Sequence, residues 1–393
     1  MDIKGFKFSA VEAAIKKPGR LDLALIYSEV PATVAAVFTT NKVKAAPLLL
    51  SMERALNHVS RGVVVNSGNA NACTGRQGMS DAIETARLVA DALGVHEDSL
   101  LVASTGVIGQ PLPMERIRNA IPDLIGELSR STLADVAQAI MTTDTFPKME
   151  IRTGEAGGRL YTIAGVAKGS GMIMPNMATM LSFLVTDAAV DPSWLVELFS
   201  SEVDRSFNCI TVDGDTSTND TALIMANGMA GNPEIFKGTP EAAIFAESVR
   251  NILLSLGKQI VRDGEGATKF VEILVKGALS DSDAKKAAIS IANSTLVKTA
   301  FFGQDANWGR ILAAVGYSGA EVDQDLADLY FDDVAMVKNG VFAGGEAESL
   351  GSKVLLKKDF SVTVDLQLGT GSATVFTSDL SYEYVKINAD YRT

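Results

Sequence analysis

Helical and strand-like patterns alternate along this chain with no internal repeat and no low-complexity linker between them, which confines it to a layered α/β or α+β fold. Residues 80–93 read as a helix: Ser80 can cap it, Asp81 and Glu84 suit its first turn, and Gly94 ends it. Ile83, Ala86, Ala90 and Leu93 form its apolar face. A second helix is expected to begin near Asp191 and Pro192 and to carry Trp194, Leu195, Leu198 and Phe199. Strand-like stretches fall at 62–65, 160–164 and 180–185, and residues 360–368 alternate apolar and polar ahead of a Gly-Thr-Gly turn. The polar stretch 281–286 follows a strand-like 270–275, so a boundary is expected there, giving domains 1–280 and 281–393.

Function classes can be excluded on composition. With 35 Lys and Arg against 47 Asp and Glu, the net charge of −12 repels a phosphate backbone, so neither nucleic acid nor an anionic membrane is expected as a partner. The first 17 residues hold no apolar core of signal-peptide length, and no run of 18 apolar residues suggests a membrane span. A cytoplasmic location is expected. Only His58, His96, Cys73 and Cys209 are available for a Ser-His-Asp triad, a Cys-His pair or a zinc site, so no metal is expected, and the cysteines read as reduced core residues. No GxSxG, Walker-type loop or HExxH occurs, and the GxG runs starting at Gly169, Gly264 and Gly369 lack the third glycine of a dinucleotide fingerprint.

The segment KGSGMIMPNMATML, residues 168–181, carries the most chemistry. It sets the small Ala178 immediately before the hydroxyl of Thr179 in a glycine-rich context that is almost free of charge. Were that bond to cut itself, Thr179 would become an N-terminus. Its α-amine, with a pKa of roughly 7.7 to 8.0, could then take the proton from Oγ1 and no histidine would be needed. The plainer reading is a threonine at the start of a buried strand.

Other segments bear on that choice. In STGVIG, Thr105 and Gly106 could turn tightly and offer a hydroxyl and a backbone N–H to a developing oxyanion. NSGNANACTG, residues 66–75, reads as a long uncharged loop packed against something. Lys168, among glycines, is either a carboxylate anchor or a solvated lysine at a strand end. In DGEGATK, Glu265 is an exposed carboxylate able to hold an amine, or part of a plain acidic turn. TVDGDTSTND, residues 211–220, fails the spacing of a calcium loop and reads as a hydrogen-bonded turn and helix cap supporting a site. The terminal KINADYRT reads as a docked tail.

Taken together and in order, these segments, with TTDTFPK at 142–148 and GQDANWGRI at 303–311, resemble the ornithine acetyltransferase family, the glutamate N-acetyltransferases of arginine biosynthesis. The resemblance spans essentially the whole chain. It implies an α/β fold of the layered kind found in self-processing aminopeptidases and reminiscent of N-terminal-nucleophile hydrolases, with a smaller C-terminal α/β domain. It also implies cleavage between Ala178 and Thr179 into an α chain of 1–178 and a β chain of 179–393, paired as α2β2. Thr179 would be the nucleophile, Thr105 and Gly106 the oxyanion donors, and Thr142, Lys168, Thr179, Glu265, Asn388 and Thr393 the substrate contacts; Thr143 is as able as Thr142 to serve. The implied reaction moves acetyl from N-acetylornithine to glutamate through an acetyl-threonine, with no cofactor and with acetyl-CoA left open as a second donor. The alternatives are a self-processing aminopeptidase or amidohydrolase, which would give the acyl group to water, and an amino-acid binding protein.

Overall fold

The structure, a computed structural model, describes residues 3–174 and 180–390. Ala178, Thr179 and Thr393 lie outside the described residues. The fold is a mixed α/β arrangement with two sheets, one in each of two compact units. The first unit comprises the described residues of Met1–Met172, Asn176–Asn208 and Asp215–Ile260; the second those of Ile173–Pro175, Cys209–Gly214 and Val261–Thr393. The division therefore falls at 260/261, twenty residues ahead of the boundary expected at 280/281. The reason is pairing: Phe270–Ala278, expected to close the first domain, lies between Asp359–Asp365 and Gly371–Ser378 in the second sheet.

In the first unit, seven strands run in the order Leu100–Val107, Val59–Asn69, Leu23–Phe38, Thr221–Ala226, Leu181–Thr186, Arg159–Lys168, Lys148–Ala156, and Phe6–Val11 pairs with Leu23–Phe38. Alternation of period two supplies both faces of this sheet with apolar groups. Leu23 and Leu25 pack with Val64 and Val102 against the helices Gly75–Leu93 and Met114–Gly126, whereas Ala24 and Ile26 pack with Val63 and Val65 towards Leu133–Ala139. The helix expected at 191–192 is Pro192–Asp204. Asp191 accepts from the Trp194 N–H at 2.8 Å, and all four expected apolar residues are buried.

The helix expected at 80–93 instead runs Gly75–Leu93, so Ser80 is internal and Thr74 precedes the first turn. Its end is as expected, with Gly94 left-handed at φ +69°. Gly78 inside that early turn has no room for a side chain, because a Cβ would lie 1.8 Å from the Thr74 hydroxyl.

The second unit has the order Val341–Phe342, Val334–Lys338, Asp328–Phe331, Asp359–Asp365, Phe270–Ala278, Gly371–Ser378, Ile210–Thr211. Val271, Ile273 and Val275, with Phe360, Val362 and Val364, join one apolar cluster with Ala284, Ala288 and Ile291 of the helix Asp281–Asn293 and with Val297 and Phe301 of Thr295–Phe302. The other face of the central strands carries the half-buried Glu272, Leu274, Ser361 and Thr363. Among the described residues, no helix is long and apolar enough to cross a membrane.

Candidate active site

The first unit gathers Thr105, Gly106 and Lys168 from distant stretches of sequence. Thr105 and Gly106 lie at the end of the strand Leu100–Val107, not in the tight turn expected of them. Parallel pairing with Val59–Asn69 carries the strand through Ser67↔Thr105 and Gly68↔Gly106, where the register slips. Gly106 has φ +136°, and a Cβ there would stand 2.2 Å from the Gly68 carbonyl carbon, so only glycine fits. The buried Lys168, last residue of Arg159–Lys168, donates from Nζ to Thr105 Oγ1 at 3.4 Å. Its burial removes the reading of Lys168 as a solvated lysine.

That contact has a chemical consequence. A hydroxyl that accepts from an ammonium keeps its own proton for another acceptor, and the cation makes it a stronger donor. The strand end is held in turn by Asn219, whose Nδ2 donates to the carbonyls of Ala70 and Ser104 at 2.7 and 2.8 Å. Of the stretch 211–220, expected as a hydrogen-bonded turn and helix cap supporting a site, Asn219 braces the strand end next to Thr105. The helix cap is not found, since Asn219 is followed by the strand Thr221–Ala226. The stretch 66–75 is likewise not all loop: Asn66–Asn69 end a strand, and Ala70, Asn71 and Ala72 beyond it are buried.

Two carboxyls that sequence reasoning passed over sit around Lys168. Asp144 Oδ1 accepts from the Gly169 N–H and from Lys148 Nζ, each at 2.7 Å, and Oδ2 accepts from the Thr142 N–H at 3.0 Å. Burial pushes its pKa up, but the ammonium groups of Lys168 and Lys148 override that and hold it at about 2. Asp144 thus fastens the turn that carries Thr142 and Thr143 to the glycine after Lys168. Thr143 Oγ1 shares a hydrogen bond of 2.7 Å with Ser170 Oγ, while Thr142 is tied here through its backbone.

Asp220 is fully buried, and Oδ1 accepts from the N–H of Met180, the residue after Thr179, at 3.0 Å. Among the described residues, Oδ2 meets no hydrogen-bond donor. Burial raises this carboxyl well above the ordinary range. The Met180 N–H, the Thr39 hydroxyl, Lys168 and Ser217 offset that only in part.

In the second unit, Glu265 and Asn388 meet: Nδ2 of Asn388 donates to Glu265 Oε2 at 2.8 Å. Glu265 is only 8% exposed, so the open carboxylate expected from its two flanking glycines is corrected. Asn388 belongs to the helix Tyr382–Ala389, and this contact ties that helix to Glu265; the last three residues of the expected docked tail lie outside the described residues. Cys73 and Cys209 are not disulfide-bonded to each other, and Cys73 is exposed and Cys209 half-buried, so neither is the core residue expected. Among the described residues, no three His, Cys, Asp or Glu side chains converge as metal ligands would.

In a two-sheet α/β frame, a hydroxyl backed by a buried ammonium beside a strand that only glycine can complete is suited to meeting the oxyanion of acyl transfer, and the relatives of this chain place it among the acyltransferases. The ArgJ family profile matches residues 7–393. The arginine biosynthesis bifunctional protein ArgJ of Geobacter sulfurreducens is 70% identical over 100% of both chains, and that of Syntrophotalea carbinolica 55% identical over 100% of this chain and 99% of its own. A crystal structure of the Bacillus halodurans ArgJ protein is 43% identical, with a TM-score of 0.52, over 54% of this chain and 100% of that chain. The chain belongs to the ArgJ family.

Proposed function

We propose that this enzyme moves an acetyl group from N-acetylornithine to glutamate through an acetyl ester on Thr179, after cutting itself between Ala178 and Thr179. The observation that carries the reading is the Lys168–Thr105 contact, which supplies a polarised hydroxyl without histidine or metal. Membership of a family whose curated relatives are named for arginine biosynthesis supports the substrates.

In the self-cleavage, Thr179 Oγ1 attacks the Ala178 carbonyl, the peptide C–N bond breaks as the Thr179 nitrogen takes the proton, and water releases the ester. The freed α-amine then serves as base. In transfer, it takes the Oγ1 proton as the oxygen attacks the acetyl carbonyl, and the oxyanion is met by the Thr105 hydroxyl and the Gly106 N–H. The C–N bond breaks, ornithine leaves with that proton, and the amine of glutamate attacks the ester in the reverse sequence. One amide is broken and one made, so no nucleotide is consumed. Lys168 is assigned to the substrate carboxylate and Glu265 with Asn388 to an amine, with Thr142 or Thr143 and Thr393 completing the contacts. Assembly of the two fragments as α2β2, a cytoplasmic location and use of acetyl-CoA as a second donor belong to the same proposal.

The test is direct. The protein given N-acetylornithine and glutamate, without acetyl-CoA, is expected to yield N-acetylglutamate and ornithine in equal amounts, and its intact mass to resolve two fragments. Release of free acetate in place of N-acetylglutamate would overturn the transfer; a single uncut chain with full activity would overturn the cleavage.

A further inference from the structure

The helix Tyr382–Ala389 brings Asn388 to Glu265, yet none of its residues is buried. Apolar packing supplies the edge-on contact of Tyr382 with Phe302, ring centroids 5.5 Å apart, and little else. Along the helix Tyr384 donates from its hydroxyl to Asp213 Oδ2 at 3.2 Å, and a further set of polar ties converges on its root at 377–381.

Asp379, itself buried, is the centre of that root. Its Oδ1 accepts from the backbone N–H groups of Thr268 and Lys269 at 2.7 and 2.9 Å, and its Oδ2 accepts from the Thr268 hydroxyl. A carboxylate that receives three donors from two adjacent residues fixes the strand-entry of the turn bearing Glu265. Two residues on, Ser381 Oγ donates to the Gly266 carbonyl at 2.6 Å and accepts from the Glu383 N–H at 3.2 Å, capping the helix. Gly266, at φ +67°, is approached so closely that a Cβ would lie 2.5 Å from the Tyr384 nitrogen. The far side of Asp379 is held by Lys298. Its Nζ donates to Thr377 Oγ1 at 2.9 Å and to the Ser378 carbonyl, and its own carbonyl accepts from the Leu380 N–H at 3.3 Å.

We infer that Asp379 is a positioning residue for amine recognition: by clamping 268–269 to the root of the terminal helix, it sets the register in which Glu265 and Asn388 face each other. The inference rests on the proposed assignment of Glu265 to a substrate amine. Of the two substrates, only N-acetylornithine carries an amine beyond the group that reacts. Asp379 therefore acts on donor selection and leaves the acceptor and the nucleophile alone.

The experiment uses the full chain with Asp379→Asn, Asp379→Ala and Thr268→Val. Self-cleavage is read by intact mass, and KM and kcat are measured for N-acetylornithine and glutamate separately. Asparagine keeps one acceptor, so Asp379→Asn is expected to raise the donor KM about 10-fold and Asp379→Ala about 50-fold, with kcat, glutamate KM and cleavage within about 2-fold of wild type. Thr268→Val keeps the carboxylate and loses one donor, so it is expected to raise the donor KM about 3-fold, and it reports should either Asp379 variant fail to fold. An unchanged donor KM in the folded variants would overturn the inference, as would equal losses for both substrates. Wild-type protein that makes no N-acetylglutamate would instead overturn the proposed reaction, a distinguishable failure.

Discussion

Lys168 reaches across 63 residues of sequence to donate a hydrogen bond to the Thr105 hydroxyl, Nζ to Oγ1 at 3.4 Å. The cation is on the end of one strand and the hydroxyl on the end of another, so the sheet itself aligns them. A threonine donor backed in this way is preorganised: its proton already points away from the ammonium before any charge develops on substrate.

Removing the donor tests its share of catalysis. Thr105→Ala is expected to lower kcat for acetyl transfer by about 100- to 1,000-fold, the range for losing one preorganised oxyanion donor. Thr105→Ser keeps the hydroxyl and should recover most of that loss. Lys168→Met, which keeps the length of the stem and loses the charge, should lower kcat and also raise the KM of both substrates, because both present a carboxylate. Steady-state kinetics of the three variants separate these outcomes. Equal activity of Thr105→Ala and wild type would remove Thr105 from the mechanism.

Asp144 makes an acid-stability prediction. Its carboxyl is held at about 2 by Lys168 and Lys148 against an ordinary value of 3.8. A depressed acid contributes stability that is complete above the unfolded pKa and is lost as the pH falls through the folded one. The contribution should therefore disappear between about pH 4 and pH 2. Asp144→Asn leaves Lys148 buried without its carboxylate and is expected to cost about 3 to 5 kcal/mol at neutral pH, with a shallower loss of stability on acidification than wild type. Denaturant melts at pH 7, 4 and 3 check both the size and the slope.

How much of this was legible in the sequence depends on the range of the interaction concerned. Two local signals held, Gly94 ending its helix left-handed and Asp191 capping the next one, because both act within a turn, whereas Ser80 proved internal to a helix that begins five residues earlier. Thr105 and Gly106 were readable as residues with donors to offer. Their setting in a strand was not, because it depends on parallel pairing with residues 62–69. Glu265 looked open between glycines and is covered by Asn388, 123 residues away. Asp144 and Asp220 lie in the segments 142–148 and 211–220 that the sequence singled out, but nothing local marked these carboxyls, or Asp379, individually. What distinguishes them is burial and the donors that the fold delivers to them, which only tertiary structure supplies.

Lys298 predicts an unusual rise of stability with alkaline pH. It is fully buried, and burial outweighs the attraction of Asp379 and Asp213, holding its pKa at about 7 against an ordinary 10.5. Between those values the unfolded chain binds a proton that the folded chain does not, so stability increases with pH. Below about pH 7 both states are protonated and the cost of the buried charge is constant; above about 10.5 both are neutral and it has gone. The slope in that window is at most about 1.4 kcal/mol per pH unit. Lys298→Met removes the titration along with the bonds to Thr377 and Ser378. Its melting temperature should fall below that of wild type at pH 9 by more than it does at pH 6. A wild-type curve parallel to the variant's from pH 6 to 10 would place the Lys298 pKa outside that window.

Gly106 gives the sharpest structural prediction. Its φ of +136° is a conformation that side chains avoid, and the space for a Cβ is filled by backbone, with the Gly68 carbonyl carbon at 2.2 Å and the Asn69 nitrogen at 2.5 Å. Backbone atoms in a paired strand cannot rotate aside as a flexible side chain can. Gly106→Ala must therefore break the pairing between 68–69 and 105–107 or move one strand off the other, at a cost of about 3 kcal/mol or more. Gly109, also left-handed at φ +82° but with no atom within 4 Å of an added Cβ, provides the control. Gly109→Ala is expected to carry only the backbone penalty, about 1 to 2 kcal/mol. Melting temperatures of the two variants side by side separate close approach from conformational preference. Equal destabilisation would mean that the strands part at Gly106 without loss, and that the register slip there is not what holds Thr105 in place.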